Sequence, residues 1–400
     1  MNFSQDNVIA HFQPILSADT KEVYAYEVLG RYVDDDGTVK SLGAFFSDPD
    51  TSHEKALEVD RIVRRYAMKK YAEEKRSEYL FINIRLAWLL PYAENPDEML
   101  TLQLAREFGI TPEKLVIEIT EEEFYASEEY IRSIIHYKKI GCRVALDDYG
   151  TRASNIDRLA KIQPDIIKIN IDYIHNSEQS YHYREYLRSL AAFADSVGIE
   201  VLYEGVETEK QLDICISSKG RYYQGFLIAV PQPSMRDAVI NSFVFSALIE
   251  TVYTEMQNNA INAESLRNSL DVQIERFLHE NPFDREKINS DEYFIKLFRE
   301  LPDVTRIYLC SRYGVQLSNN IERQSGDIVC RDYKNKNWAW RGYFHEIITA
   351  FATGRKSCLS NVYRDFTTKE QMFTYCYAIN DEVFLFADTI KDTEKTYAAG

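Results

Sequence analysis

Short apolar segments that alternate with helical segments restrict the fold of this chain more than any other feature. Between residue 1 and about residue 235 the apolar segments read YLFINI, KLVIEIT, CRVALDD, DIIKIN, EVLYEG and YYQGFLI. Near-continuous apolar runs of this length suit a parallel sheet covered on both faces. The segments SEEYIRSIIHYKKIG and YREYLRSLAAFADSVG have helical spacing and end at Gly141 and Gly198, as helix C-caps do. This number of strand–helix units predicts a TIM-like (β/α)8 barrel, an α/β fold, rather than a small open sheet.

A different pattern begins near residue 236. Residues 236–281 contain neither glycine nor proline, which predicts one long helix or two nearly collinear helices. Because roughly 40 helical residues span ~60 Å, we interpret this segment as a connector or a dimerisation stalk. The alternative is a pair of separate core helices with an unmarked break. From about residue 285, aromatic and β-branched runs divided by turns predict an α+β domain with an antiparallel sheet.

These patterns divide the 400 residues into three parts, in agreement with the two or three domains that such a length allows. We predict a barrel at residues 1–240, a connecting helix at 241–284 and an α+β domain at 285–400. A stalk of this length cannot be buried in one small domain, and we therefore expect a homodimer.

Charge and composition exclude several classes of protein. The formal net charge of −16 argues against duplex DNA or an anionic membrane as a general partner. No stretch approaches the ~18 apolar residues of a membrane span, and the N-terminal MNFSQDNVIAHFQPIL does not read as a secretory signal. We therefore expect a cytoplasmic protein. Its cysteines are scattered without a CxxC pair, which disfavours zinc ribbons and thioredoxin chemistry.

Polar side chains stand where the predicted strands end. In a βα barrel the carboxyl ends of the strands converge on one mouth, so we expect these side chains to lie close together. They are Glu27, Asn83, Glu118, Asp147, Asp148, Lys168, Glu204, Glu207 and Gln224. A charged group inside an apolar strand is costly unless it is paired, and a succession of such groups therefore indicates a functional site.

The residue types indicate the chemistry of this mouth. Carboxylate and amide oxygens are ligands for hard cations, and no histidine lies beside these strand ends, which disfavours a zinc hydrolase. Asp147 and Asp148 are adjacent, and such carboxylates repel each other unless positive charge lies between them. We interpret the pair as part of a two-metal phosphoester site, with metals ~3.5–4 Å apart. Taken singly, any of these residues, Lys168 included, could instead belong to a structural ion pair.

The order of the motifs resembles that of a known family. FQPI, EVLGR, INI, EITE, DDYGT, KIN, EGVET and QGF with a later proline follow one another over residues 1 to about 240. This series is similar to the EAL-domain family of cyclic di-GMP phosphodiesterases, and the whole architecture resembles the YkuI type, which carries a C-terminal PAS/Cache-like domain. The resemblance implies hydrolysis of cyclic di-GMP to linear pGpG with Mg²⁺ or Mn²⁺, in bacterial second-messenger signalling. Ca²⁺ could occupy the same site and inhibit.

The resemblance also implies which residues bind metal and act on water. The implied metal ligands are Glu27, Asn83, Glu118, Asp147 and Asp148. Asp147 would bridge the two ions, and Asp148 would serve the second. Lys168 and Glu204 would position or deprotonate the attacking water, and together with Glu27 they form the implied catalytic set.

Further residues are implied to contact or support the substrate. Those implied to bind it are Gln13, Leu29, Arg31 and Gln224. The guanidinium fork of Arg31 suits a phosphate, and Gln224 would also support the shell of water around the metal. Glu121 would anchor the loop after Asp148, and Glu207 would support the site near Glu204.

The chain departs from the family pattern in the loop after the two aspartates. Its sequence DYGTRASN, in residues 148–155, replaces the usual DFGTGYSS, so Arg152, Ala153 and Asn155 stand where glycine, an aromatic residue and serine are common. Asn170 also replaces the aspartate of a KID motif, and Tyr203 precedes EGVE where alanine is common. Three functions therefore stay open: a phosphodiesterase regulated by the C-terminal domain, a cyclic di-GMP receptor without turnover, and a metal phosphodiesterase with another substrate.

The C-terminal domain contains one segment with the composition of a ligand pocket. NWAWRGYF at residues 337–344 resembles a pocket segment of Cache-like sensor domains. Arg341 would bind a carboxylate of an unknown small ligand, and Trp338, Trp340 and Tyr343 would form the walls. The alternative is aromatic core packing beside a solvated arginine.

Overall fold

The computed structural model describes residues 3–92, 94–120, 128–150, 156–236, 242–324 and 326–391. The chain forms two compact units, Met1–Tyr253 and Thr254–Gly400. Each unit has hydrophobic clusters of its own. Over the described ranges, no helix combines the length and the apolarity needed to cross a membrane.

Eight strands of the first unit close into a barrel, which confirms the predicted fold. The strands of this unit are β1 (Val8–Ser17), β2 (Val23–Val33), β3 (Val39–Ser41), β4 (Tyr79–Asn83), β5 (Leu115–Thr120), β6 (Arg143–Tyr149), β7 (Ile166–Ile169), β8 (Glu200–Tyr203) and β9 (Tyr222–Tyr223). Around the barrel they pair in the order β1, β9, β8, β7, β6, β5, β4 and β2, and pairing of β2 with β1 closes it. Strand β3 pairs with β2 outside the ring.

The barrel differs from a fully parallel sheet at β1. This strand runs antiparallel to both neighbours, with Phe12 opposite Val28 and Leu16 opposite Tyr223. The other seven strands pair in parallel. The reason is the short link between β1 and β2, because a link of this length can join only antiparallel neighbours, whereas parallel strands need a crossover of a dozen or more residues.

Helices cover the outside of the barrel. They are α1 (Gly43–Ser47), α2 (His53–Glu73), α3 (Leu100–Phe108), α4 (Glu128–Lys139), α5 (Ile156–Ile162), α6 (Ile171–Ser177), α7 (Tyr181–Ser196) and α8 (Glu209–Ser217), with 3₁₀ turns at Leu86–Tyr92, Pro96–Glu98 and Pro112–Lys114. In α2 the buried residues Val59, Val63 and Ala67 recur every four positions and form one apolar face. Gly141 and Gly198 follow α4 and α7 with φ angles of 101° and 74°, so the chain leaves both helices through a left-handed glycine.

A helix of 39 residues, α9 (Ser242–Glu280), contributes to the core of each unit. In the first unit, Phe245, Ile249 and Val252 are buried in the cluster outside the barrel sheet. In the second unit, buried residues of α9 recur at helical spacing and join a separate cluster. These are Leu266, Leu270, Ile274 and Phe277.

The second unit is an antiparallel sheet with helices, as the aromatic runs predict. Its strands are β10 (Arg306–Ser311), β11 (Asn320–Gln324), β12 (Asp327–Arg331), β13 (Ser357–Leu359), β14 (Tyr363–Arg364), β15 (Gln371–Ala378) and β16 (Val383–Ile390). They pair in the order β12, β11, β10, β16, β15 and β13, and β14 also pairs with β15. Its helices are α10 (Asp291–Arg299) and α11 (Gly342–Ala352), and a 3₁₀ turn spans Arg285–Asn289. Residues of α9 and α10 share one apolar cluster with the sheet, and residues of α11 share another.

Candidate active site at the mouth of the barrel

Inward-facing side chains of the barrel form two successive layers. The first is an apolar cluster to which each of the eight strands contributes one buried residue: Ile15, Ala25, Phe81, Val116, Ala145, Ile166, Leu202 and Tyr222. Side chains two positions apart on a strand point the same way, so the next inward position lies two residues nearer the mouth. That position is two residues later on the seven parallel strands and two residues earlier on the antiparallel β1.

The second layer is polar at every position, and we call it the polar ring. It consists of Gln13, Glu27, Asn83, Glu118, Asp147, Lys168, Glu204 and Gln224. All eight are residues that the sequence assigned to one site. The strand period of two therefore explains why residues scattered over more than two hundred positions meet at one mouth.

Lys168 binds the carboxylates of the polar ring together. Its side chain is 1% exposed, and its Nζ lies 2.5 Å from Glu118 Oε1. The same Nζ lies 3.1 Å from Asp147 Oδ1, 3.1 Å from Glu204 Oε2 and 3.5 Å from Glu27 Oε2. One buried ammonium group thus faces four carboxylates, which leaves an excess of negative charge at the mouth.

This excess charge changes the acidity of the ring. Burial, followed by repulsion from Glu27, raises the pKa of Glu118 well above its usual value. Burial also raises the pKa of Glu204 to about 8, although Lys168 opposes the shift. For Lys168 burial acts to lower the pKa, but the surrounding carboxylates outweigh it and raise the pKa well above its usual value. Additional positive charge would therefore relieve repulsion at this site.

A chain of amide hydrogen bonds orients the side of the ring around Glu27. Asn83 Nδ2 donates to Glu27 Oε1 at 3.2 Å, and Gln224 Nε2 donates to Glu27 Oε2 at 2.6 Å. Gln224 Nε2 also lies 3.1 Å from Gln13 Oε1, and Gln13 Nε2 donates to the carbonyl of Ala229 at 3.1 Å. Because the nitrogens of Asn83 and Gln224 face Glu27, their carbonyl oxygens are left for other partners.

Asp148 reaches the mouth through an irregularity of β6. In a regular strand, Asp147 and Asp148 would point to opposite faces of the sheet. The pairing of β6 with β7 instead shifts register between Leu146 and Tyr149, and Asp148 has a φ angle of 54°. Such a bulge re-aims a side chain, and aspartate tolerates the left-handed region better than most residues. Asn170 Nδ2 donates to Asp148 Oδ1 at 2.5 Å.

The donors of this site fit a divalent cation. One oxygen each of Asp147, Asp148 and Glu204 lie within 4.8 Å of one another. Glu118 Oε2 and Gln224 Oε1 are buried and have no hydrogen-bond partner within the described ranges. Buried polar atoms are normally satisfied, and carboxylate and amide oxygens are the ligands that hard cations prefer.

A cavity of about 660 Å³ lies beside the polar ring. Leu29, Arg31, Asn83 and Asp148 are among its lining residues. Arg31 Nη1 donates to the carbonyl of Gly30 at 2.9 Å, and the guanidinium group is only partly buried. The cavity therefore combines an arginine that was predicted to bind phosphate with the rim of the acidic ring.

Glu207, which the sequence predicted as a supporting residue, does not join the ring. The carboxylate of Glu207 lies 3.9 Å from His175 Nε2, and the backbone N–H of Glu207 donates to Gln211 Oε1 at 2.8 Å. The structure therefore places Glu207 at the start of α8 rather than against Glu204. Glu121 lies outside the described residues, as do the loop residues Arg152, Ala153 and Asn155.

The sequence analysis missed residues that lie beyond the strand ends. Arg85 and Trp88 line the cavity, and the Arg85 guanidinium lies 5.5 Å from the Trp88 ring centroid. Trp88 Nε1 is buried without a hydrogen-bond partner in the described part of the chain. The signal that could have found them is the segment INIRLAW, in which an arginine and a tryptophan follow Asn83 closely.

The predicted sensory-pocket residues lie close to one another, since the backbone N–H of Arg341 donates to the carbonyl of Trp338 at 2.9 Å and Trp338 packs against the apolar cluster that contains Tyr343. The indole Nε1 of Trp338 donates to Gln316 Oε1 at 2.8 Å. Arg341 lies 5.5 Å from the ring centroid of Trp340 and 5.4 Å from that of Tyr343. Its closest aromatic neighbour is Phe366, with a centroid at 4.3 Å. Arg341 is therefore surrounded by aromatic rings, and a ligand role for it remains a prediction.

Two family matches cover most of the chain. The EAL domain matches residues 1–231, and the EAL-domain associated signalling protein domain matches residues 244–392. The first of these coincides with the barrel and its polar ring. The second spans most of α9 and the antiparallel sheet, and it does not bear on the predicted PAS/Cache-like character of that unit.

Individual relatives agree with these matches. The chain is 32% identical over 393 residues to the uncharacterized EAL-domain containing protein YkuI of Bacillus subtilis, covering 96% of this chain and 94% of the relative. The crystal structure of B. subtilis YkuI in complex with substrate c-di-GMP and calcium superimposes with a TM-score of 0.86 and 29% identity, over 97% of this chain and 98% of that one. Over 133 residues the chain is 33% identical to the probable cyclic di-GMP phosphodiesterase PdeA of Escherichia coli, covering 33% of this chain and 18% of PdeA.

Proposed function

The chain belongs to the EAL-domain family, and from this premise we propose that it is a metal-dependent phosphodiesterase that hydrolyses cyclic di-GMP to linear pGpG. The observation that carries the proposal is the complete polar ring, in which every strand of the barrel supplies one polar side chain next to the apolar layer. Two relatives support the choice of substrate, since PdeA is named as a probable cyclic di-GMP phosphodiesterase and the YkuI structure holds c-di-GMP.

The proposed cations are Mg²⁺ or Mn²⁺. Their ligands would be Glu27, Asn83, Glu118, Asp147 and Asp148. A divalent cation in such a site neutralises a phosphodiester and lowers the pKa of bound water. We expect Ca²⁺, the cation in the YkuI structure, to compete for the same oxygens and to inhibit turnover.

Glu204 is proposed to accept the proton of the attacking water, and Lys168 is proposed to support Glu204. The carboxylate of Glu204 would accept this proton, and Lys168 Nζ, 3.1 Å from Glu204 Oε2, would hold the carboxylate in place. Lys168 also places positive charge beside the phosphate, where negative charge increases during the reaction. Lys168 is buried and the side chain of Glu204 is only 21% exposed, which limits competing contacts with solvent.

The cavity beside the ring is proposed to hold the nucleotide. Its volume of about 660 Å³ lies within the range of small-molecule sites. The fork of Arg31 would bind a phosphate oxygen pair, and Gln13, Leu29 and Gln224 would contact the remainder of the ligand. Arg85 and Trp88 add a cation and an aromatic surface on the same wall.

Product analysis tests this proposal. We expect the full-length protein with Mg²⁺ or Mn²⁺ to convert cyclic di-GMP to linear pGpG, and Glu27→Ala to abolish the product, because Glu27 anchors both amides and offers a metal ligand. Glu22→Ala, at an exposed position in the turn before β2, is the matched control and should retain activity. Unchanged cyclic di-GMP with every cation would contradict the proposal.

A receptor without turnover is the second candidate, and the loop sequence favours it. Arg152 stands where the family has glycine, whose backbone freedom arginine lacks. Retention of cyclic di-GMP by the protein without any pGpG would support this function, and the second unit would then carry the output.

We further propose that the second unit regulates the barrel and that the protein is a homodimer. Helix α9 exposes large apolar side chains, with Phe243 at 82%, Ile261 at 62% and Val272 at 67% exposure. Apolar groups of this size on a long helix suit contact with a second copy. Light scattering should give twice the 46.7 kDa chain mass with cyclic di-GMP present, and a monomer at micromolar concentration would contradict the dimer.

A further inference from the structure

The start of helix α6 contacts the segment that carries Asp147 and Asp148. Asn170, the residue before α6, donates from Nδ2 to Asp148 Oδ1 at 2.5 Å. Three residues later, the hydroxyl of Tyr173 donates to the backbone carbonyl of Gly150, which directly follows β6. The start of α6 therefore holds the end of β6 at two points, one on the side chain of Asp148 and one on the backbone.

The same turn of α6 packs against the segment that carries Glu204. A Cβ on Gly205 would lie 2.4 Å from Ile171 Cδ1 and 2.6 Å from Ile171 Cβ, so the two residues are in close contact. The backbone N–H of Glu204 also donates to the carbonyl of Ile169, at the end of β7, at 3.4 Å. The start of α6 thus contacts the segments of all three carboxylates whose oxygens lie within 4.8 Å of one another.

The backbone at Asp148 follows a path that few residues adopt. Its φ angle is 54°, and β6 shifts register at this point. The carboxylates of Asp147 and Asp148 also repel each other when no cation is bound. Because a left-handed aspartate and two adjacent like charges both favour a different path, contacts that fix this backbone raise the population of the arrangement that can bind a cation.

The ring of Tyr173 is itself held in place. It stacks on the ring of Tyr186, with centroids 5.2 Å apart and an interplanar angle of 26°. A Cβ on Gly150 would lie 3.0 Å from Tyr186 Oη and 3.3 Å from Tyr173 Cζ, so both tyrosines lie against this glycine. A ring that is already ordered loses little further freedom when its hydroxyl forms a hydrogen bond, and Tyr173 is therefore well suited to fix the Gly150 carbonyl.

We propose that Tyr173 is a positioning residue for the cation site, because its hydroxyl fixes the Gly150 carbonyl and thereby keeps Asp147 and Asp148 in the arrangement that a divalent cation requires. Tyr173 does not touch the cation in this role and acts through the backbone at the end of β6. Preorganised ligands bind more tightly because binding then orders fewer groups. The role rests on the proposed function, since it requires that the polar ring binds a cation.

Calorimetric titration of the metal-free full-length protein with Mn²⁺ tests the proposal without measuring turnover. Tyr173→Phe removes only the hydroxyl and keeps the ring that stacks on Tyr186. We expect the Mn²⁺ affinity of this variant to fall roughly three- to tenfold, the range that corresponds to one lost hydrogen bond.

Tyr71→Phe is the matched control. The hydroxyl of Tyr71 donates to the carbonyl of Glu78 at 2.6 Å, so this variant also loses one bond between a hydroxyl and a backbone carbonyl, but at the end of β4 opposite to Asn83. Both variants should lower the midpoint of thermal unfolding in EDTA by similar amounts. The Mn²⁺ affinity of Tyr71→Phe should equal that of the wild type.

The outcomes separate this role from the proposed function. Wild-type Mn²⁺ affinity in Tyr173→Phe would overturn the role of Tyr173 and leave the proposed function intact. An equal loss of affinity in both variants would also overturn that role, because it would reflect a general loss of stability. Failure of the wild-type protein to bind Mn²⁺ would overturn the proposed cation site and the role of Tyr173 together.

Discussion

At the residue scale, Lys168 determines how the polar ring holds together. Four carboxylates approach its Nζ within 3.5 Å, so the ring is an ion-pair cluster and a candidate reaction site at once. Removing one partner of a buried pair costs about 3–5 kcal/mol, because the remaining charge stays buried without compensation. The structural and the catalytic interpretations of Lys168 are therefore compatible.

Asn170 caps helix α6 and also donates a hydrogen bond to Asp148. Its Oδ1 accepts from the backbone N–H of Asp172 at 2.8 Å and caps α6, while its Nδ2 donates to Asp148 Oδ1 at 2.5 Å. The cap fixes the orientation of the amide, since only the oxygen can accept. Asparagine thus provides a donor to Asp148 where an aspartate would add a third carboxylate beside Asp147 and Asp148.

We predict that Asn170→Asp destabilises the metal-free protein. The cap survives because aspartate caps helices equally well, but a carboxylate then faces Asp148, with repulsion of roughly 1–4 kcal/mol for effective dielectric constants of about 80 to 20. Thermal unfolding in EDTA should show a lower midpoint than that of the wild type. Addition of Mn²⁺ should raise the midpoint of the variant more than it raises that of the wild type. Asn176→Asp, at an exposed position of α6, is the control, and equal midpoints for the two variants would contradict the prediction.

At the scale of elements, the ends of the strands position the site. Gln224 lies just past β9, and Gly225 follows with a backbone that packs against Val206, near the end of β8. A Cβ on Gly225 would lie 2.1 Å from Val206 O and 2.2 Å from Val206 N. Only glycine allows the two loops to approach this closely, and their approach holds Gln224 beside Glu27.

We predict that Gly225→Ala severely weakens nucleotide binding and stability, because backbone atoms cannot move aside as a flexible side chain can. The free energy of unfolding should fall by about 3 kcal/mol or more, which is at the upper end for single substitutions. Gly109→Ala is the control: its φ angle is also positive, at 68°, but its Cβ would meet nothing within 4 Å. The free energy of unfolding of Gly109→Ala should fall by only about 1 kcal/mol. Similar losses for both variants in urea titrations would contradict the role of the close approach.

At the scale of the whole molecule, the chain has two sets of hydrophobic clusters. One set lies inside and around the barrel, and the other lies on the sheet of the second unit. Helix α9 supplies buried residues to both sets. Cores that share no side chain can respond separately to a ligand or a substitution.

We predict two separable transitions in calorimetric unfolding. Mn²⁺ should raise the transition of the unit Met1–Tyr253, because the proposed cation ligands all belong to the barrel. Leu385→Ala, at a fully buried position of the second unit, should lower only the other transition through a loss of about 2–5 kcal/mol. A single transition that responds to both changes would show that the units unfold together.

The sequence by itself determined the barrel and, apart from Gln13, which the family resemblance supplied, the membership of the polar ring. Both follow from local periodicity. The spacing of apolar residues along the chain predicts the strands and helices, and Glu118 and Lys168 stand at strand ends whichever strands lie beside them. The predicted family, the barrel fold and the strands and helices of the second unit are confirmed on this basis. The individual roles of the ring residues stay predictions.

Only the tertiary structure decided the features that depend on distant parts of the chain. These include the antiparallel direction of β1, the bulge that turns Asp148 toward Asp147, and the position of Glu207 beside His175. Register, bulges and cavities arise from pairing between strands and helices that are far apart in sequence. Local composition does not specify that pairing.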